Sequence, residues 1–136
     1  RRMGAHHTVD ASRHDPVQAV RELTNGYGVD MVVEAGGTAE SVAQALQMAH
    51  ANGRVLLLGY ANKAEIVPLS VVRSDLTIVG SMASRRPHYQ TALRWMNAGL
   101  LRAAPLVTHR LPLSEFAVAV DLFKSRQAVK VLFEIT

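Results

Sequence analysis

Two stretches of this chain stop abruptly at glycine: VDMVVEAGG, Val29 to Gly37, and GRVLLLGY, Gly53 to Tyr60. Each is a short, nearly all-apolar run, and one amphipathic helix's worth of residues lies between them. Consecutive strands of a parallel sheet buried on both faces read this way. In such sheets a ligand binds just beyond the carboxyl ends of the strands. Glycine at that place lets the backbone come close to a bound nucleotide. Ala35, Gly36 and Gly37 after the first run, and Leu58, Gly59 and Tyr60 closing the second, are therefore the candidate ligand contacts.

Other chemistry finds less support. Glu34 is the one carboxylate inside an apolar strand. Burial obliges it to find partners, but no second carboxylate is placed beside it for acid–base work, so its expected role is structural. The histidines are His6, His7, His14, His50, His88 and His109. His6 and His7 would point to opposite faces of a strand, and no pair stands at i, i+4 on a helix. With no cysteine beside them, no metal site is expected in this chain. Ser70, Ser81 and Ser84 lack the G-x-S-x-G elbow of a hydrolase. No catalytic residue is assigned.

The elements that must position these residues follow from turn signals and periodicity. His6 to Val9 is a short strand candidate after the turn-prone Gly4. Asp15 as N-cap and Pro16 at the first helical position open a helix. Val17, Val20 and Leu23 stripe it, and Asn25-Gly26 ends it. Val29 to Ala35 is the second strand. Thr38 caps a helix whose buried face is Val42, Ala45, Leu46 and Ala49, and Asn52-Gly53 stops it. Arg54 to Leu58 is the third strand. After a looser segment and a helical turn from Pro68 to Ser74, Leu76 to Gly80 is the fourth. Pro87 starts a helix with Tyr89, Leu93 and Met96 on one face and Gly99 at its end. Leu106 to Arg110 is extended. Ser114 caps a helix bearing Phe116, Val120 and Phe123, with Leu113 placed to staple against Val118. Lys130 to Ile135 is the last strand.

Strands separated by helices imply right-handed crossovers and a mostly parallel sheet. All-apolar strands call for cover on both sides, so the helices should divide between the two faces. The expected fold is α/β, a Rossmann-like, mostly parallel sheet with helices on both faces, in one domain over residues 1–136.

The bulk composition agrees. Of 136 residues, 49% are hydrophobic and 19% charged, enough apolar content for a core and too little charge for disorder. No apolar stretch approaches a membrane span and no signal peptide opens the chain. The absence of cysteine removes disulfides and is compatible with a cytoplasmic setting. The net charge of +4 is carried by scattered residues, with Arg1-Arg2 and Arg85-Arg86 the only basic pairs. No aromatic-interleaved basic patch suggests nucleic acid.

In order along the chain stand MGAHHTVD, the Asp-Pro helix, NGYGVDMVVEAGG, ANGRVLLLGY, LTIVGSM, LVTHRLPLSEFAVAVDLF and AVKVLFEI. Together they resemble the carboxyl part of the coenzyme domain of zinc-type alcohol dehydrogenases, the medium-chain dehydrogenase/reductase family. Single pieces are unspecific; the ordered set is what carries the likeness, with VTHRLPLSEF the most particular segment. In that family the coenzyme domain opens with a strand, a G-x-G-x-x-G turn and a helix, and a second strand ends in an acidic residue on the adenosine ribose. Neither feature is found here: Gly26 and Gly28 of NGYG precede a strand instead of following one. The expected sheet thus lacks the first βαβ of the full fold. His6 to Val9 would lie at its far edge.

The resemblance implies NAD or NADP as cofactor, without distinguishing them. It places Ala35, Gly36 and Gly37 beside the adenine ribose and the central cofactor. Leu58, Gly59 and Tyr60 would face the nicotinamide, although Tyr60 is bulkier than expected. Ser81 and Met82 would hold the carboxamide, and Lys130 would stand near the pyrophosphate. Zinc would belong only to the family's catalytic domain, which this sequence does not contain, and the chain alone would be inactive. Leu76 to Met82 resembles the edge strand that pairs with its twin in a homodimer. The function implied is the coenzyme part of an NAD(P)-dependent alcohol or polyol dehydrogenase, with an alcohol or carbonyl substrate reaching it through the catalytic domain. The alternatives are a zinc-independent quinone reductase of the same family and a non-catalytic dimerisation module. No nucleic-acid or membrane partner is expected.

Overall fold

The computed structural model describes residues 3–135. They fall into two compact units, residues 8–83 and residues 84–135 with 3–7.

In the first unit α1 spans Pro16–Leu23, β1 Val29–Glu34, α2 Ala39–Met48, β2 Ala49–Leu57, α3 Pro68–Arg73 and β3 Thr77–Gly80. The start signals behave as the sequence indicates. The Asp15 carboxylate accepts from the N–H groups of Val17 and Gln18, at 2.8 and 3.2 Å. Thr38 and Ser41 form a reciprocal capping box at the head of α2. The α1 helix closes through Asn25 and Gly26, both at positive φ. The Gly26 N–H donates to the Arg21 carbonyl at 2.6 Å.

The strands β1, β2 and β3 are parallel and neighbours in that order. Val32↔Val55↔Ile78 and Glu34↔Leu57↔Gly80 lie in register across all three. Ala45, Ala49 and Val55 form the buried core, with Val32, Leu46, Leu57 and Leu76 packed on it. Side chains alternate along β1. Val32 and Glu34 face the α2 side, while Met31 and Val33 on the other face are 56% and 52% exposed.

Three local expectations are corrected. Residues 6–9 do not form a strand: they are irregular, and among the described residues β1 pairs only with β2. An extended segment with no neighbour gains no ladder hydrogen bonds, so its β-branched residues alone do not hold it in place. The helix α2 ends at Met48, not at Asn52-Gly53. Ala49 is already extended and pairs with Val29; the ladder then breaks and resumes at Arg54. The Arg21 guanidinium supplies the reason. Its Nη2 donates to the carbonyls of Gln47 and Ala49, at 2.5 and 3.3 Å, and so takes over acceptors of the final turn. Lastly, Ser114 does not cap α5. It lies within a short 3₁₀ turn, Leu113–Glu115, and α5 starts at Phe116 without a side-chain cap.

In the second unit α4 spans Arg86–Asn97, β4 Val107–Pro112, α5 Phe116–Lys124 and β5 Lys130–Glu134. Pro87 lies in the first turn of α4, and Gly99 at φ 71° follows its end. The strands β4 and β5 pair in parallel, with Arg110↔Leu132 and Leu111↔Phe133. Phe116 and Phe133 stack with centroids 5.9 Å apart. Among the described residues every strand pairing is parallel and helices alternate with strands, the α/β, Rossmann-like architecture.

Candidate functional site

The carboxyl ends of β1, β2 and β3 finish at one level, because Glu34, Leu57 and Gly80 share a register. Short backbone bonds extend that edge. The N–H groups of Leu58 and Gly59 donate to the Glu34 carbonyl at 2.8 and 3.0 Å, and the Ser81 N–H to the Leu57 carbonyl at 3.0 Å. The segments Ala35–Gly37, Leu58–Tyr60 and Ser81–Met82 therefore leave the sheet side by side.

The first two segments meet at glycine. Gly37 has φ 70°, and a Cβ there would come within 2.9 Å of the Tyr60 N. A Cβ on Gly59 would lie 2.6 Å from the Gly37 Cα and would also strike the Gly37 N and the Glu34 carboxylate. No side chain fits between the two strand ends. Where the first two segments meet, Ala35 and Gly36 are exposed, and Gly37 and Gly59 are half-buried.

Glu34 fixes this arrangement from below. It is buried at 4% exposure. Its Oε1 accepts from the Gly37 N–H and from the Ser41 hydroxyl, each at 2.7 Å. These bonds, the Ser41 hydroxyl first and the Gly37 N–H next, hold the carboxyl below its ordinary value against the opposing effect of burial. Oε2 is buried with no hydrogen bond of normal geometry; the N–H groups of Gly36 and Gly59 favour the charge more weakly. Ser41 is the member of the site that sequence reasoning missed. Its signal was the position three residues after the Thr38 cap, one turn from a carboxylate that needed a partner.

The remaining expected contacts are placed as follows. Leu58 is 40% exposed, Tyr60 74% and Met82 80%. Met82 thus has no part in a core, and Tyr60 is largely exposed. Lys130 belongs to the other unit. It is exposed and opens β5 opposite Val107, at the amino end of its strand. Among the described residues no three histidine or carboxylate side chains gather as a metal site. The donor set here therefore does not fit zinc. The open glycine-lined ledge does fit the sugar or ring face of a nucleotide, which needs close backbone approach.

Comparison with known proteins identifies the class. Residues 1–98 match the zinc-binding dehydrogenase family, and the chain belongs to that family. It is 32% identical over 135 residues to an L-threonine 3-dehydrogenase of Bacillus velezensis, a match covering 97% of this chain and 39% of the relative. It is 30% identical over 132 residues to a sorbitol dehydrogenase of Halalkalibacterium halodurans, covering 96% of this chain and 38% of the relative. Among solved structures, an alcohol dehydrogenase from Thermus sp. ATN1 superposes with a TM-score of 0.88 at 32% identity, over 98% of this chain and 39% of that one. The chain thus spans about two-fifths of the length of the relatives it matches.

Proposed function

We propose that this chain forms the carboxyl part of the coenzyme domain of an NAD(P)-dependent, zinc-type alcohol or polyol dehydrogenase, with residues 1–136 serving within one nucleotide-binding domain. The observation that carries this reading is the meeting of Gly37 and Gly59 at the ends of adjacent parallel strands, where neither position has room for a Cβ. Such an edge accepts a flat or sugar-like group against bare backbone. The names of the relatives, threonine, sorbitol and alcohol dehydrogenases, support an alcohol or carbonyl substrate.

In this reading Ala35, Gly36 and Gly37 receive the adenine ribose. Leu58, Gly59 and Tyr60 wall the nicotinamide, which when bound supplies the hydride acceptor or donor. Ser81 and Met82 hold the carboxamide through main-chain groups, and Lys130 neutralises pyrophosphate charge. Zinc and substrate are held by the part of the dehydrogenase outside this sequence. Leu76 to Met82 pairs with its twin in a homodimer: among the described residues β3 pairs only with β2, and an open edge favours such pairing. The enzyme works in the cytoplasm, without a nucleic-acid or membrane partner. In support, the basic residues are scattered, and no described helix is long and apolar enough to cross a membrane.

Calorimetric titration of the 136-residue chain with NADH and NADPH tests the proposal. Weak, saturable binding of either is expected, with no turnover of alcohols. Absence of binding to both removes the cofactor role; alcohol oxidation by the chain alone removes the view that substrate chemistry lies elsewhere.

A further inference from the structure

The β1–α2 turn has the features of an anion site: a glycine turn after a parallel strand, at the head of a ten-residue helix. Three of its donors, however, are already used. The Gly37 N–H goes to the Glu34 carboxylate, the Thr38 N–H to the Ser41 hydroxyl at 3.0 Å, and the Ser41 N–H to the Thr38 hydroxyl at 3.0 Å. The Gly59 N–H, on the neighbouring strand end, goes to the Glu34 carbonyl. A carboxylate that is itself buried lies against the Gly37 N–H, with its second oxygen lacking a hydrogen bond of normal geometry.

We propose that Glu34 is the specificity-setting residue of the ledge: its carboxylate, a built-in anion, occupies the Gly37 N–H at the end of β1 while its main-chain carbonyl occupies the Gly59 N–H at the end of β2, so the ledge accepts an uncharged sugar or ring and refuses phosphate. The inference rests on the dinucleotide reading above and deepens it. A bound dinucleotide has its charge at the pyrophosphate, and a fixed carboxylate beneath Gly37 and Gly59 makes that group the wrong one to lie there. The same carboxylate positions the turn. Its two bonds through Oε1 join the Gly37 backbone to α2, and its second oxygen lies under Gly59. Glu34 touches no reacting atom and acts through the backbone it holds. Hydrogen bonds and burial set its ionisation, with no charged side chain contributing.

Amide NMR spectra of the isotope-labelled 136-residue chain test this with two probes, NADH and inorganic phosphate. In the wild type, NADH is expected to shift the Gly37 and Gly59 amide signals, and millimolar phosphate to leave the Gly36, Gly37 and Gly59 signals unmoved. In Glu34→Ala, phosphate should now shift the Gly36 and Gly37 signals, and NADH should bind about tenfold more weakly, equivalent to about 1.4 kcal/mol. Ser41→Ala retains the charge while releasing one of its bonds, so it should weaken NADH yet still exclude phosphate. This variant decides the matter if Glu34→Ala does not fold. Phosphate-induced shifts at these glycines in the wild type or in Ser41→Ala overturn the proposal, as does unchanged NADH affinity in both variants. If NADH is silent in the wild type while phosphate is refused there and admitted in Glu34→Ala, the cofactor reading falls and the role of Glu34 as internal anion stands.

Discussion

Gly59 lies against Gly37 so closely that a single methyl group on the former would collide with the backbone of the latter. Two strand ends are thereby held at a separation that only glycine permits. Gly59→Ala must push β2 away from the β1–α2 turn or distort the turn itself. Overpacking of this kind costs about 1–3 kcal/mol. A lower urea midpoint with an unchanged denaturant slope is expected, together with loss of any NADH response.

Arg21 is the second point of leverage. Its Nη1 donates to the carbonyls of Gly26 and Tyr27, at 3.0 and 2.9 Å, while Nη2 reaches those of Gln47 and Ala49. One side chain thus ties the loop after α1 to the end of α2 and the start of β2, with a positive charge at the carbonyl end of a helix. Arg21→Met should destabilise by about 1.5–3 kcal/mol, the range for hydrogen bonds to a charged group. Arg21→Lys should recover little of it, because an ammonium cannot span both pairs of carbonyls in the fork geometry. Thermal melts of the three proteins compare these outcomes directly.

Acid should weaken the fold through Glu34. Its folded-state carboxyl is held below the ordinary value, first by the Ser41 hydroxyl and then by the Gly37 N–H. The stabilisation is complete above the carboxylate's unfolded-state value and is lost as pH falls through the folded one. Glu34→Gln should therefore flatten the fall in urea midpoint on the acid side of the usual carboxylate range. Asp10 is also held low, first by the Ser12 hydroxyl and then by the Ser12 N–H, but it is exposed. Asp10→Asn serves as the control and should leave that slope nearly unaltered. Equal slopes in wild type and Glu34→Gln would remove Glu34 as the cause.

The proposed dimer gives a fourth test. Val79 on β3 is 47% exposed, and lysine on an edge strand is a recurrent device against edge-to-edge pairing. Sedimentation should show a concentration-dependent dimer for the wild type. Val79→Lys should shift it to monomer without a change in circular dichroism. A wild type that stays monomeric at high concentration removes the proposal.

Much of the sheet was legible because its signals are local. The apolar runs ending at Glu34 and Leu57, and the Asp15 and Thr38 caps, each carry their cause within a few residues. What escaped depends on partners distant in sequence. Residues 6–9 have β-type composition, yet a strand exists only by pairing. The end of α2 is set by Arg21, 26 residues away, so Asn52-Gly53 was a plausible stop that acts instead within the irregular β2 pairing. The glycine ledge was readable as strand ends with small residues. The carboxylate–serine bond beneath it was not: Glu34 stood out as a carboxylate in need of a partner, but Ser41 looks ordinary until the turn folds it back over Glu34.

The half-exposed Met31 and Val33 have a consequence for anyone handling the isolated chain. A properly formed sheet that displays thioether and branched aliphatic groups to solvent on one side should brighten a dye such as anilinonaphthalene sulfonate while retaining sharp, dispersed resonances. Dye fluorescence alone would then misreport a native protein as a molten one, and its stickiness on columns would reflect bare sheet rather than misfolding.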